Sequence, residues 1–385
     1  MKIVWPHSLK NSVFFLCLLL LFSLGIFVPY IAFAQNDAGL QCLDPESLSE
    51  EGERRDLANF PSLELFPRDN REPAAFNTGT EPDLPTRVTE FSGGLRLLPV
   101  QGQVYVLMGA GSNITLQIRN ERTEDGILLV DAGSPESSTA VLGAIEQITS
   151  APIRLIINTT ADRHHTGGNI VLGQSGARLA TNSAGNNNGE ERGAAIIARE
   201  EVMIDMIVEG TEDCGWPNRT FGAYPRLTQS FNGEGIRVMH MPNAITDGDS
   251  FVFFRSSDVI STGDIFNTDR YPPIDLEHGG SINGVVAALN ALLEVTIPAL
   301  KNEGGTYVVP GHGRIADESD VSEYRDMATI IRDRIQTYID RGMSLEEVQA
   351  QRPTLEYDGR YDQGLSPEAF VEIVYLSLDQ AGGSQ

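Results

Sequence analysis

Two histidines stand side by side, His164 and His165, in the segment Asn158-Thr159-Thr160-Ala161-Asp162-Arg163-His164-His165-Thr166-Gly167-Gly168-Asn169. The segment follows the apolar run Ile153–Ile157 directly, and strand ends are where α/β proteins collect functional groups. Imidazole is a common metal ligand and the side chain whose charge changes nearest neutral pH. A carboxylate, Asp162, precedes the pair. A third histidine, His312, lies in Val309-Pro310-Gly311-His312-Gly313, and a second carboxylate, Asp264, in Ser261-Thr262-Gly263-Asp264. Imidazole and carboxylate together bind Zn²⁺, Fe²⁺ or Mn²⁺. Donors of these types could serve a metal, but a lone Gly-Asp or Gly-His points to none by itself. The competing reading is structural: Asp162 caps a helix, His164 is a solvated loop residue, and Asp264 joins loops by hydrogen bonds.

The other histidines carry less. His7 belongs to the N-terminal leader, and His240, flanked by Met239 and Met241, reads as packing or solvent-facing. His278 precedes Gly279-Gly280 and can reach the site only from a loop. The three cysteines, Cys17, Cys42 and Cys214, are too few for a thiolate metal site. Cys42 and Cys214 can pair in an oxidising compartment.

The surrounding elements alternate in type. Leu95–Pro99, Val104–Met108, Asn113–Asn120 and Gly126–Val130 read as strands, and Ile114, Leu116 and Ile118 give the period-two pattern. Ser137–Ile148 has helical spacing, Ile153–Asn158 is a buried strand, and Gly193–Val208 reads as a helix. Strands are expected at Gly235–Met241, Phe251–Arg255, Val259–Ser261 and Thr306–Val309. Helices are expected at Ser281–Ile297, Val321–Arg341 and Ser366–Leu378, with a capping box at Ser344 and Glu347. Two runs of strands, each followed by helices, suggest two packed sheets with helices outside.

In this setting the His-rich segment resembles the first motif of the metallo-β-lactamase superfamily, which usually reads N-T-H-x-H-x-D-H-x-G-G-N. Asn158, Thr159, His165, Gly167, Gly168 and Asn169 match it. Pro242–Ser250 resembles the segment of the third-motif histidine, Gly263-Asp264 the strand-end Gly-Asp, and Gly311-His312 the last metal-histidine loop. The resemblance runs from about Phe91 to Arg341. It implies an α+β protein: an αββα four-layer sandwich of two mixed β-sheets with outer helices. Thr160, Asp162 and Ile245 stand where the family's first metal takes its histidines. Isoleucine offers no lone pair and a neutral threonine hydroxyl is a poor zinc ligand, so that site is expected to be lost. The second site maps onto His164 (aspartate in relatives), His165, Asp264 and His312. One Zn²⁺ is expected there rather than two, with Fe²⁺ or Mn²⁺ as alternatives.

Met1–Ala34 carries Lys2 and Lys10, no acid, an apolar run from Val13 and a final Ala32-Phe33-Ala34, the features of a secretory signal peptide cleaved after Ala34. An N-terminal membrane anchor is the alternative. Residues 35–87, acidic and proline-rich, read as a linker or arm with at most a short helix near Ser47–Asn59. Residues 88–341 form the metallo-β-lactamase-like domain, and 342–385 a C-terminal helical extension. The net charge of −25 repels nucleic acid and anionic lipid. The expected partner is a small-molecule substrate, with no nucleic acid and no stable membrane association after cleavage. The expected function is an exported hydrolase acting on an ester, thioester, lactone or amide bond through metal-bound hydroxide. Asp162 and His164 are the candidate catalytic residues. The alternatives are an inactive binding protein on the same scaffold and an iron site handling oxygen or electrons. Pocket walls are expected from Thr181–Arg192 and Gly210–Thr228.

Overall fold

The computed structural model describes residues 84–119, 126–177, 193–222, 226–298, 305–361 and 363–382. The leader, the helix expected at Ser47–Asn59, Cys42 and the Thr181–Arg192 loop lie outside them. Among the described residues no helix is long and apolar enough to cross a membrane.

Eight strands form the first sheet, in spatial order from β1 to β8: β1 Thr89–Glu90, β2 Arg96–Gln101, β3 Val104–Ala110, β4 Ser112–Gln117, β5 Ile127–Val130, β6 Ile153–Ile157, β7 Ala195–Arg199 and β8 Arg219–Phe221. Pairing is antiparallel as far as β5 and parallel from β5 to β8. The second sheet has the order β13-β12-β11-β10-β9: β9 Arg226–Phe231, β10 Glu234–His240, β11 Ser250–Phe254, β12 Val259–Ser261 and β13 Tyr307–Val309. Its one parallel pair is β12 with β13. Both sheets are thus mixed. The helices are α1 Ser138–Ile148, α2 Arg163–Thr166, α3 Asn169–Ser175, α4 Glu200–Val208, α5 Ile282–Val295, α6 Glu318–Ile339, α7 Leu345–Ala350 and α8 Pro367–Gly382.

Three apolar layers hold these elements. Val106, Val130 and Ile157 of the first sheet meet Val238, Val252 and Phe254 of the second. Leu107, Ile114 and Ile156 pack outward under Val141 and Ile145 of α1. On the far side Phe251 and Ile260 pack under α5 and α6, and Val348, Phe370 and Val374 of α7 and α8 join the same core. Each such buried side chain contributes about 1.5–3 kcal/mol. The residues after 342 therefore complete the outer layer of the second sheet.

Gly193–Val208 departs from its helical reading. Ala195–Arg199 is a strand, and only Glu200–Val208 is helical. Parallel strands buried on both faces lose their alternation, and all five residues of β7 are buried. Continuous apolar runs of this kind do not separate strand from helix.

β4 joins the two sheets. Ile114 and Leu116 face the helices, so Asn113, Thr115 and Gln117 must face the other sheet. Thr115 Oγ1 donates to Ser261 Oγ at 3.0 Å, and Gln117 Nε2 donates to Glu234 Oε2 at 2.6 Å. Asn113 Nδ2 donates to the carbonyls of Pro310 and Gly313, each at 3.0 Å. A half-polar strand buried on both faces thereby fixes the His312 loop against the first sheet.

Candidate metal centre

Four loops meet at the carboxyl ends of parallel strands. β5 runs into Asp131, β6 into the His165 segment, β12 into Asp264, and β13 into His312. His165, Asp264 and His312 come together: one ligand atom from each lies within 4.8 Å of the others. The imidazoles of His165 and His312 meet edge to face, with centroids 5.7 Å apart. His165 Nε2 lies 3.3 Å from Asp264 Oδ2, and His312 Nε2 lies 3.4 Å from Asp264 Oδ1.

The proton arrangement can be worked out from the partners. His165 Nδ1 lies 2.7 Å from Asp131 Oδ2. An ionised carboxylate only accepts, so Nδ1 carries the hydrogen and Nε2 of the neutral ring presents a lone pair. That lone pair faces the Asp264 carboxylate. His165 Nε2 and Asp264 Oδ1 are both buried without a hydrogen-bond partner. Nε2 lies beside Asp264 Oδ2 and Oδ1 beside His312, so positive charge among these buried atoms, carried by a proton or a metal, stabilises the site. The donor set therefore fits a divalent metal. Asp131 supplies the carboxylate–histidine contact that fixes tautomer and ring orientation at such centres.

The electrostatics agree. Burial alone would lower the pKa of His165, but the Asp264 and Asp131 carboxylates outweigh it and hold it well above the usual value. The space beside Nε2 thus favours positive charge, as a proton or as a metal. Burial would raise Asp264, but His165, His312 and Arg270 keep it ionised, well below the carboxylate range. Burial pushes His312 down to about 4, with His165 and Arg270 acting in the same direction against Asp264. A neutral His312 is the form that binds metal.

Asp131 was not among the sequence candidates. It follows the apolar Ile127–Val130 strand in Leu-Leu-Val-Asp, and an acid closing a buried strand was the available signal. Its Oδ1 accepts from Thr159 N and its Oδ2 from Thr159 Oγ1, each at 2.8 Å. Its φ of 64° is uncommon outside glycine, and such conformations gather at functional sites. Asn267 was also missed. It donates from Nδ2 to the Asp264 carbonyl at 2.9 Å and accepts the His312 N–H at 2.8 Å, joining the two loops.

His164 and Asp162 lie nearby but outside the cluster of three. Adjacent residues on a helix do not face the same way, and His164 and His165 are adjacent on α2. His165 is buried and His164 is exposed, on the wall of the cleft. Asp162 is the N-cap of α2, its Oδ1 accepting the His164 N–H at 2.6 Å. Thr160 and Ile245 are buried on the same cleft wall. His240 binds the Asp247 carbonyl through Nε2 at 2.6 Å, away from the cluster. His278 does reach the cleft, its Nδ1 2.7 Å from Asp275 Oδ2.

Gly311 shows why glycine precedes a ligand here. A Cβ at this position would lie 2.5 Å from Asp264 Oδ1 and 2.8 Å from the Gly263 carbonyl. Gly311→Ala is therefore expected to displace the Asp264 carboxylate and weaken metal binding by about 10–100-fold, the range for disturbed ligand positioning. Competition with a chromogenic chelator measures it.

No protein-family model matches the sequence, and no curated protein matches it. Solved structures do. The sec-alkylsulfatase Pisa1 from Pseudomonas sp. superposes with a TM-score of 0.56 at 16% identity, over 72% of this chain and 49% of that one. A double mutant of that enzyme gives 0.54 at 14% identity. The chain thus spans about half the length of these structures. A metallo-β-lactamase from Pontibacter korlensis gives 0.44 at 17% identity, over 63% of this chain and 98% of that one. The chain has the metallo-β-lactamase fold. At such identities the likeness concerns architecture, and function must come from the site.

In this fold the Pro242–Ser250 loop flanks the cleft, and Asp249 organises it. Its carboxylate accepts from Thr246 N at 2.7 Å and Thr246 Oγ1 at 3.1 Å. Burial pushes its pKa from 3.8 up to about 7, against those hydrogen bonds. The folded chain therefore holds a proton there that the unfolded chain releases above about pH 4. Asp249 then makes stability fall as pH rises from about 4 to 7, with no further change above. In Asp249→Asn this component is expected to vanish, so that wild type loses more stability than the variant across that window in urea titrations with chelator present.

Proposed function

We propose that the chain is a metal-dependent hydrolase using a single divalent ion, with Zn²⁺ the first candidate and Fe²⁺ or Mn²⁺ the alternatives. The supporting observation is the pair of buried acceptors, His165 Nε2 and Asp264 Oδ1, without partners beside a third donor, His312. His165, Asp264 and His312 would hold the ion. When bound, it supplies Lewis acidity and lowers the pKa of water towards neutrality. His165, fixed by Asp131, presents Nε2 as a donor and keeps its proton on Nδ1. Asp162 uses Oδ1 as a helix cap and keeps Oδ2 available on the cleft wall, where it would take a proton from attacking water. His164, beside it and exposed, would orient the substrate or return that proton to the leaving group. The bond cleaved is read as an ester, thioester, lactone or amide in a small molecule that fits a cavity of about 280 Å³. We read residues 1–34 as an export signal removed before the protein works.

The test is elemental analysis of the purified protein together with an ester, thioester and lactone screen, with and without chelator. About one ion per chain and chelator-sensitive turnover support the proposal. Metal-free protein with unchanged thermal stability in chelator would overturn it. That result would favour an inactive binding protein, the reading suggested by Thr160 and Ile245 at positions where relatives carry imidazoles.

A further inference from the structure

The cleft has a second charged wall that the metal chemistry does not use. Asp205 and Glu209, one helical turn apart at the end of α4, line it together with Asp275 and His278. His278 is bonded to Asp275. Among the described residues, Asp205 and Glu209 have no ion-pair partner. Asp205 is 8% exposed, and its Oδ2 is buried without a hydrogen bond. Burial pushes its pKa up to about 6, against the pull of His278. A buried carboxylate that keeps its charge needs a counter-charge. The C-terminal end of α4 adds negative potential of its own.

This wall holds no cluster of three metal donors: among the described residues only His165, Asp264 and His312 bring three donor atoms within 4.8 Å of one another. Ile245, Pro273 and Leu365 line the same cleft and offer apolar surface beside the charges. We propose that Asp205 and Glu209 form a subsite for an organic cation, a protonated amine carried on a small molecule with an apolar body. The proposal rests on reading this cleft as the substrate site, and it narrows the substrate class to amine-bearing esters, thioesters, lactones or amides.

Binding without turnover tests it. Calorimetric titration of the whole protein with benzylamine, cationic at neutral pH, and with neutral benzyl alcohol is expected to show the amine binding about tenfold tighter or more. Asp205→Asn and Glu209→Gln are each expected to reduce that preference severalfold. Glu146→Gln, at an exposed position of α1, leaves it unchanged and controls for the overall negative field. Glu209 is exposed, so its variant serves even where the buried change impairs folding. Equal binding of the two probes, or a preference unaltered in both cleft variants, would overturn the proposal. Zinc retained by His165→Ala/His312→Ala and lost on adding Asp205→Asn would overturn it too, in favour of a metal at this wall. A protein without hydrolytic activity that still prefers benzylamine would overturn the hydrolase reading and leave the cation subsite standing.

Discussion

His165→Ala and His312→Ala are each expected to reduce bound metal from about one ion per chain to near zero, and chelator-sensitive hydrolysis to background. A set of three donors that loses one imidazole keeps too few ligands to compete with water. His165→Ala should be the more damaging, because it also leaves Asp131 and Asp264 as buried carboxylates with one fewer partner. His240→Ala is the control: that ring is half-buried and bonds only to the Asp247 carbonyl among the contacts described. Elemental analysis of the three variants reads the result, and full metal content in either cluster variant would refute the assignment.

Asp131 should separate stability from metal affinity. Asp131→Ala removes the acceptor for Thr159 N, Thr159 Oγ1 and His165 Nδ1 together. Breaking a buried pair in this way costs about 3–5 kcal/mol, measurable as a lower urea midpoint. Asp131→Asn keeps the shape and can still accept from Thr159, so its loss of stability should be smaller. An amide N–H facing His165 Nδ1 would, however, move the ring proton to Nε2, where the lone pair for metal is needed. Metal affinity should then fall by about 10–100-fold even in a well-folded variant. Asparagine and aspartate forms of equal affinity would remove Asp131 from the site.

Much of the site was legible because its donors lie in short loops bounded by glycine or proline. Gly263-Asp264 and Pro310-Gly311-His312-Gly313 stand out in the sequence, and His165 lies in a motif frame. Both sheets were legible where strands alternate, as in β4, or are bounded by turns. Other features were not. β7 is apolar at nearly every position, so its periodicity could not distinguish strand from helix. Asp131 and Asn267 act through contacts made only after distant loops meet; an acid closing a buried strand hints at Asp131, while no local pattern marks Asn267. His164 beside His165 looked like a pair of ligands; only His165 joins Asp264 and His312 in the cluster of three, while His164 lies exposed on the cleft wall. Asp205 lies within a helix and acquires its significance from the wall opposite.

The three donors come from both sheets: His165 follows a strand of one, while Asp264 and His312 follow strands of the other. A bound ion would therefore act as a clasp between the two halves of the sandwich. It would oppose their separation even in a backbone nicked at an exposed turn such as Gly210. Metal scarcity would then reach beyond lost turnover, since a chain deprived of its ion would come apart more readily and meet proteases sooner.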